Sequence, residues 1–153
     1  MTDATQLEES RQRDLDRIRG KVEQMASLAE AGLRDGRKVL FESNGQLAYS
    51  VIIRNNQVDE LEKEIDRLCL EFLIRQQPAA GHLRLVYAVI KIHQELERIG
   101  NFTESIAREC LTIHSLKIDF DYSVLIELSE TAVSMMQRSL EAFLSQDADM
   151  AWM

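Results

Sequence analysis

Apolar residues recur at three- and four-residue steps along almost the whole of this chain, and its one proline, Pro78, interrupts them near the middle. Such periodicity lines apolar side chains along one face of an α-helix. Proline cannot continue a helix interior, because it lacks the backbone donor and its ring crowds the preceding turn. A long helix, a stop at Pro78 and a second long helix are therefore the frame into which the rest must fit.

The pattern predicts helices over residues 5–41, 46–76, 79–117 and 122–144. The first has a stripe of Leu15, Ile18, Val22, Met25, Ala29 and Leu33. Its opening turns, EESRQRD, carry almost no apolar anchor and are expected to be solvated. Asp35-Gly36 is a candidate irregularity, but Ser43-Asn44-Gly45 is the better break, since Asn and Gly tolerate the left-handed region. The second stripe is Leu47, Val51, Val58, Leu61, Ile65, Leu68 and Phe72, with a gap at Arg54. The third is Leu85, Val89, Ile92, Leu96, Ile99, Ile106, Cys110 and Ile113, widened by Leu83, Val86 and Ile90. Gly100 lies inside it at a cost of about 1 kcal/mol relative to Ala, which close helix packing or a site would justify. The fourth helix presents Leu125, Leu128, Met136, Leu140 and Phe143. Asp147 could cap a further helix, but too little sequence follows to expect one. Short connections make successive helices antiparallel. The expected fold is all-α, an antiparallel bundle of long helices.

Charge narrows the function classes. With 26 acids against 18 bases the net charge is -8, which disfavours a nucleic-acid binder. No apolar run approaches the ~20 residues of a membrane span. The first residues, MTDATQLEES, are polar and acidic and do not read as a signal peptide. A hairpin turning at Pro78 sets Cys69 and Cys110 roughly 30 Å apart at 1.5 Å per residue, too far for a disulfide. Buried, reduced thiols are expected.

Candidate chemistry gathers on the two helices flanking Pro78. Asn55, Asp59, Glu62 and Asp66 follow one stripe of the second helix, and His93, Glu97 and Asn101 step along the third. Counted from the turn, Asp59 falls at the level of Glu97 and Asn101. Carboxylates facing one another at one level are how helical bundles build metal sites, and oxygen ligands suit magnesium, calcium, manganese or iron. The alternative is a solvated acidic face with local pairs such as Glu60–Lys63. His93 reads either as a ligand with Glu97 and Asn101 or as a packed residue hydrogen-bonded to a neighbour, while His82 and His114 are expected in solvent. The sequence has no HEXXH, P-loop, GxGxxG or CxxC motif, so an enzyme is not expected.

Residues 76–101, QQPAAGHLRLVYAVIKIHQELERIGN, carry a resemblance to the PhoU family, bacterial regulators of phosphate uptake. The matching elements are Gln77-Pro78, Leu83-Arg84 and Glu97-Arg98 with Gly100, and the preceding VDELEKEIDRLC resembles the family's acidic helix. The resemblance implies a three-helix repeat over 1–120 and, over 121–153, the start of a second, incomplete repeat packed on the first or on a partner chain. Either the chain is a fragment or it is a short member. The resemblance also implies a non-enzymatic cytoplasmic regulator of phosphate uptake and phosphate-starvation signalling. Its expected partners are the phosphate ABC transporter ATPase and a sensor histidine kinase. Separately, the apolar face of the fourth helix is expected to fold back on its own bundle or to pair with a second copy in a homodimer, and no membrane insertion is expected.

Family members bind divalent metal or iron through acid-x-x-x-acid pairs, which map here to Asn55–Asp59 and Glu97–Asn101. One acid of each pair is Asn in this chain, which weakens the expected site to Asp59, Glu62 and Glu97. The family's Asp before Leu-Arg is His82 here. Two other roles stay open: a metal-binding helical bundle, and a structural oligomeric accessory module.

Overall fold

The computed structural model describes residues 3–42, 44–76, 78–117 and 121–152. The expected break at Ser43 and the matched Gln77 lie outside them. Three long helices dominate: α1 (Asp3–Glu42), α2 (Gly45–Gln76) and α3 (Ala80–Ser115). A 3-10 turn, Ser123–Leu125, leads into α4 (Ile126–Ser145), and α5 (Ala148–Trp152) follows. Among the described residues there is no strand. No helix is long and apolar enough to cross a membrane.

Cross-helix pairs fix the register. Arg11 donates to the Gln76 carbonyl, Lys21 pairs with Glu64 at 2.8 Å and Asp35 pairs with Arg54 at 2.8 Å, so α1 and α2 run antiparallel. Phe72 meets His82 edge-on, His93 reaches Asp66 and Asn55 reaches Asn101, so α2 and α3 are antiparallel too. Arg54, the gap in the apolar seam of α2, is thus the partner of Asp35 on α1.

The main core unites Leu15, Ile18, Val22 and Met25 of α1 with Val58, Ile65 and Phe72 of α2 and Val86, Val89 and Leu96 of α3. Each such side chain contributes about 1.5–3 kcal/mol by leaving water. A second cluster, around Val39, Val51 and Ala107, closes the other end. Helix α1 runs straight through Asp35-Gly36. A Cβ at Gly36 would come within 2.7 Å of Thr103 Cγ2, so the glycine serves the close approach of α1 and α3.

Four expectations are corrected. The deepest line of α3 is Val86, Val89, His93, Leu96, Gly100, Thr103, Ala107 and Cys110. Ile92, Ile99 and Ile106 sit one step round the helix, half-buried toward α4, and Leu83 is exposed. On α4, Met136 is buried and Leu140 and Phe143 pack against the core, but Leu128 faces solvent. Asp147 does cap a short helix, its Oδ1 accepting from the Met150 backbone at 3.0 Å. His82 is half-buried, its ring against Phe72, rather than solvated. Helix α4 lies antiparallel to α1, tied by Arg37 to Ser129 and Glu130 and by Gln137 to Glu30.

Candidate site at the seam of α2 and α3

The acidic stripe of α2 faces α3 along the outer margin of the main core. Asn55 is almost fully buried and has two acceptors on α3: its Nδ2 donates to Asn101 Oδ1 at 2.9 Å and to Glu104 Oε2 at 2.7 Å. Asn101 in turn donates to Glu97 Oε1. Gly100 makes this possible, because a Cβ there would fall inside the van der Waals contact distance of Asn55 Oδ1 and would press on Val58 at 3.4 Å. Close helix packing is therefore what the glycine provides.

The half-buried carboxylates below this knot share one electrostatic field. Burial, then the charges of Glu97 and Glu104, push the Asp59 carboxyl above its ordinary range. Burial, then Asp66 and Glu97, do the same for Glu62. Asp59 Oδ1 is buried without a hydrogen bond. The expected ligands Asp59, Glu62 and Glu97 are thus neighbours within one acidic patch.

The tightest grouping is a different one. Oxygens of Glu62 and Asp66 and a ring nitrogen of His93 all lie within 4.8 Å of one another. His93 is fully buried, and its Nε2 lies 3.1 Å from Asp66 Oδ1. That approach is close in distance but lacks hydrogen-bond alignment, and neither ring nitrogen makes a hydrogen bond. Burial holds His93 below the usual imidazole range, against the opposing pull of Asp66, so the neutral ring is favoured. His93 does not join Glu97 and Asn101, as one reading of the spacing had it. It turns instead to Asp66, one of the acids on the facing stripe.

The resemblance implies a metal cluster on the two acid-x-x-x-acid pairs, and these residues do not fit it. Asn55 and Asn101 are neutral; Asn55 Nδ2 donates to Asn101 Oδ1 and Glu104 Oε2, and Asn101 Nδ2 donates to Glu97 Oε1. The pair brings no charge to a cation at that level, although Asn55 Oδ1 and Asp59 Oδ1 are buried without hydrogen bonds. Glu104 was missed in the sequence, although its position three residues after Asn101 on the same helix would have flagged it.

Of the matched family elements, Pro78 is half-buried at the α2–α3 turn, Leu83 and Arg84 are exposed, and Gly100 lies at the seam. Arg98 pairs along its own helix with Glu95 at 2.8 Å. Elsewhere, Cys69 and Cys110 are free and buried, and burial pushes the Cys69 thiol up to about 11.

Comparison with known proteins agrees with this architecture. A family model described as the PhoU domain matches residues 22–110. A phosphate-specific transport system accessory protein PhoU homolog 1 of Thermotoga maritima is 30 % identical over 144 residues, spanning 92 % of this chain and 61 % of that protein. The phosphate-specific transport system accessory protein PhoU of Serratia marcescens is 35 % identical over 138 residues, spanning 90 % of this chain and 57 % of that protein. The chain thus covers only 57 % to 61 % of the length of these relatives. The crystal structure of PhoU from Pseudomonas aeruginosa superposes with a TM-score of 0.89 at 30 % identity, over 92 % of this chain and 68 % of that one.

Proposed function

This chain belongs to the PhoU family, and we propose that it is a non-enzymatic accessory protein of a phosphate transport system, acting through protein contacts in the cytoplasm. The observation that carries this reading is the match of residues 22–110 to the PhoU domain, together with relatives named as phosphate-specific transport accessory proteins. Its partners in this reading are the transporter ATPase and a sensor kinase, through which it restrains phosphate uptake and starvation signalling.

The surface that fits such partners is the exposed margin of the acidic α2–α3 face. A chain of net charge -8 with clustered carboxylates is steered toward basic patches, which sets on-rate and partner choice more than raw affinity. Residues 1–120 carry that surface in this reading, and residues 121–153 open a second repeat. A homodimer belongs to the same reading, built on α4 and the 3-10 turn before it, where Val124, Leu128 and Met135 remain exposed. Light scattering tests the dimer directly, with twice the chain mass expected.

Co-purification of the folded chain with the transporter ATPase and the kinase tests the function. Capture of at least one is expected. Capture of neither by a folded sample would overturn the reading.

A further inference from the structure

Beyond Asp66, toward Pro78, the two stripes that form the acidic seam turn apolar and stay in solvent. We infer that this end of the α2–α3 face docks an amphipathic helix of a partner protein, one that carries carboxylates along one flank. The surface is separate from the acidic seam, and the partner is defined by its chemistry rather than by the transporter reading.

On α2, Leu70 and Ile74 continue the stripe of Asp59, Glu62 and Asp66 at steps of four. On α3, Ile90 and Leu83 continue the line of Glu97 at steps of seven, with Tyr87 between them. The antiparallel register that brings Phe72 to His82 and Asp66 to His93 sets Leu70 level with Tyr87 and Ile74 level with Leu83. Leu70 is 58 % exposed, Tyr87 62 %, Ile74 78 % and Leu83 49 %. Leu73 and Ile90, half-buried against the main core, continue the apolar surface inward. Single exposed aliphatics are ordinary, but large apolar side chains at two successive levels of adjoining helices form a patch of the kind that marks a contact.

The spacing selects a helix as the occupant. Each row repeats after four residues, one helical turn, so the two rows receive side chains at i, i+3 or i+4, and i+7 of a third helix.

Charge selects its polarity. Arg84 and Lys91 stand on the outer edge of α3, seven residues and about 10 Å apart. Among the described residues neither forms an ion pair: Arg84 has no polar partner, and Lys91 lies over the Tyr87 ring, 5.7 Å from its centroid. The nearby cations of α2 are occupied, Arg67 and Arg75 by Glu71 and Lys63 by Glu60. In a chain of net charge -8, two unpaired cations at the margin of an apolar patch are complementary to carboxylates from outside. The same net charge, with Asp66 and Glu71 bordering the patch, disfavours an anionic membrane as the occupant.

The test titrates the full chain into a labelled, stapled helical peptide with Leu at i, i+4, i+7 and i+11 and Glu at two flanking positions seven apart. Stapling removes the ordering cost of a free peptide. A second peptide has Lys in place of both Glu. Fluorescence anisotropy is expected to show saturable binding of the Glu peptide, at least about tenfold tighter than that of the Lys peptide. Arg84→Glu with Lys91→Glu should reverse the preference. Arg13→Glu with Arg138→Glu, which changes the net charge equally on α1 and α4, should preserve it. Ile74→Ser should weaken both peptides severalfold. Each replaced side chain is exposed, so the variants fold. No saturable binding of the Glu peptide, or a preference that survives Arg84→Glu with Lys91→Glu, would overturn the proposal. So would flotation of the parent, but not of that variant, with phosphatidylglycerol vesicles, because the face would then be a lipid surface. No transporter component enters the experiment, so its outcome is separate from that of the accessory-protein reading.

Discussion

Asn55 Nδ2 donates to Asn101 Oδ1 over 2.9 Å across the α2–α3 seam, beside the backbone of Gly100. The family resemblance implies acids of a metal-binding pair at both positions; the two amides found there supply a hydrogen bond instead of charge. Amide hydrogen bonds thereby link the two helices at this level. Asn55 can be this deeply buried only because residue 100 has no side chain.

Gly100→Ala should accordingly destabilise the chain. Overpacking costs about 1–3 kcal/mol and the better helix former returns about 1, leaving a net loss of up to about 2 kcal/mol. Asn55→Ala removes the atom that a Cβ would strike. The double variant should therefore lose less than the two single losses added together, as a shared contact requires. Urea unfolding of the four chains measures this, and strict additivity would mean that the two positions do not touch.

Restoring acids with Asn55→Asp and Asn101→Asp should lower the melting temperature in chelator by several degrees. A buried carboxylate at residue 55 would face Glu104 in place of the donor that now serves it. Added Mn2+ should recover much of that loss in the double-acid chain and far less in the parent. Equal recovery in both would mean that the amides had not displaced the cation.

Two aspartates should give opposite pH slopes. Asp59 has a folded pKa above its ordinary value, from burial and then Glu97 and Glu104. Its penalty is absent below the unfolded pKa, grows as pH rises through the shifted range, and is complete above it. Asp59→Asn should therefore stabilise at pH 7, with the gain fading toward pH 4. At Asp35, burial raises the pKa, but hydrogen bonds from Arg54 and Lys38 and their charges outweigh it and lower the folded value. Its contribution is present above the unfolded pKa and is lost as pH falls through the folded one. Asp35→Asn should cost stability at pH 7 and little in acid. Thermal melts from pH 3 to 8 read both slopes.

On α4, Met136→Ala should cost about 2 kcal/mol or more, while Leu128→Ala should stay within about 0.5 kcal/mol. Met136 is buried against α1 and α3, and Leu128 is 66 % exposed. Hydrogen exchange along α4 localises the loss, with faster exchange expected only in the Met136 variant. Protection of Leu128 at high protein concentration would instead mark the dimer surface.

The helices were legible because their determinants are local. Pro78 and Asn44-Gly45 punctuate long apolar periods, and the observed ends fall within a few residues of the expected ones. The inner line of α3 was not legible. Large aliphatics such as Ile92, Ile99 and Ile106 attract attention in a sequence, yet the buried line also runs through His93, Gly100, Thr103 and Ala107. Of these, Gly100 lies against Asn55 of α2 and Thr103 against Gly36 of α1; small residues let helices come near, and hydrophobicity alone does not reveal them. The level of the acids was likewise readable from their distance to the turn. Which acid of α2 His93 would meet depends on the rotation of both helices, which spacing along the chain does not fix.

The claim that this chain works by protein contact through its acidic face is tested most directly by its affinity for the transporter ATPase. The parent would be measured against a variant carrying Asp59→Asn and Glu97→Gln, acids of the α2–α3 face that lie outside the grouping at His93. Saturable binding to the parent is expected, weakened severalfold in the variant and by raised salt. No binding by the folded parent, or binding indifferent to both the substitutions and salt, would contradict the account.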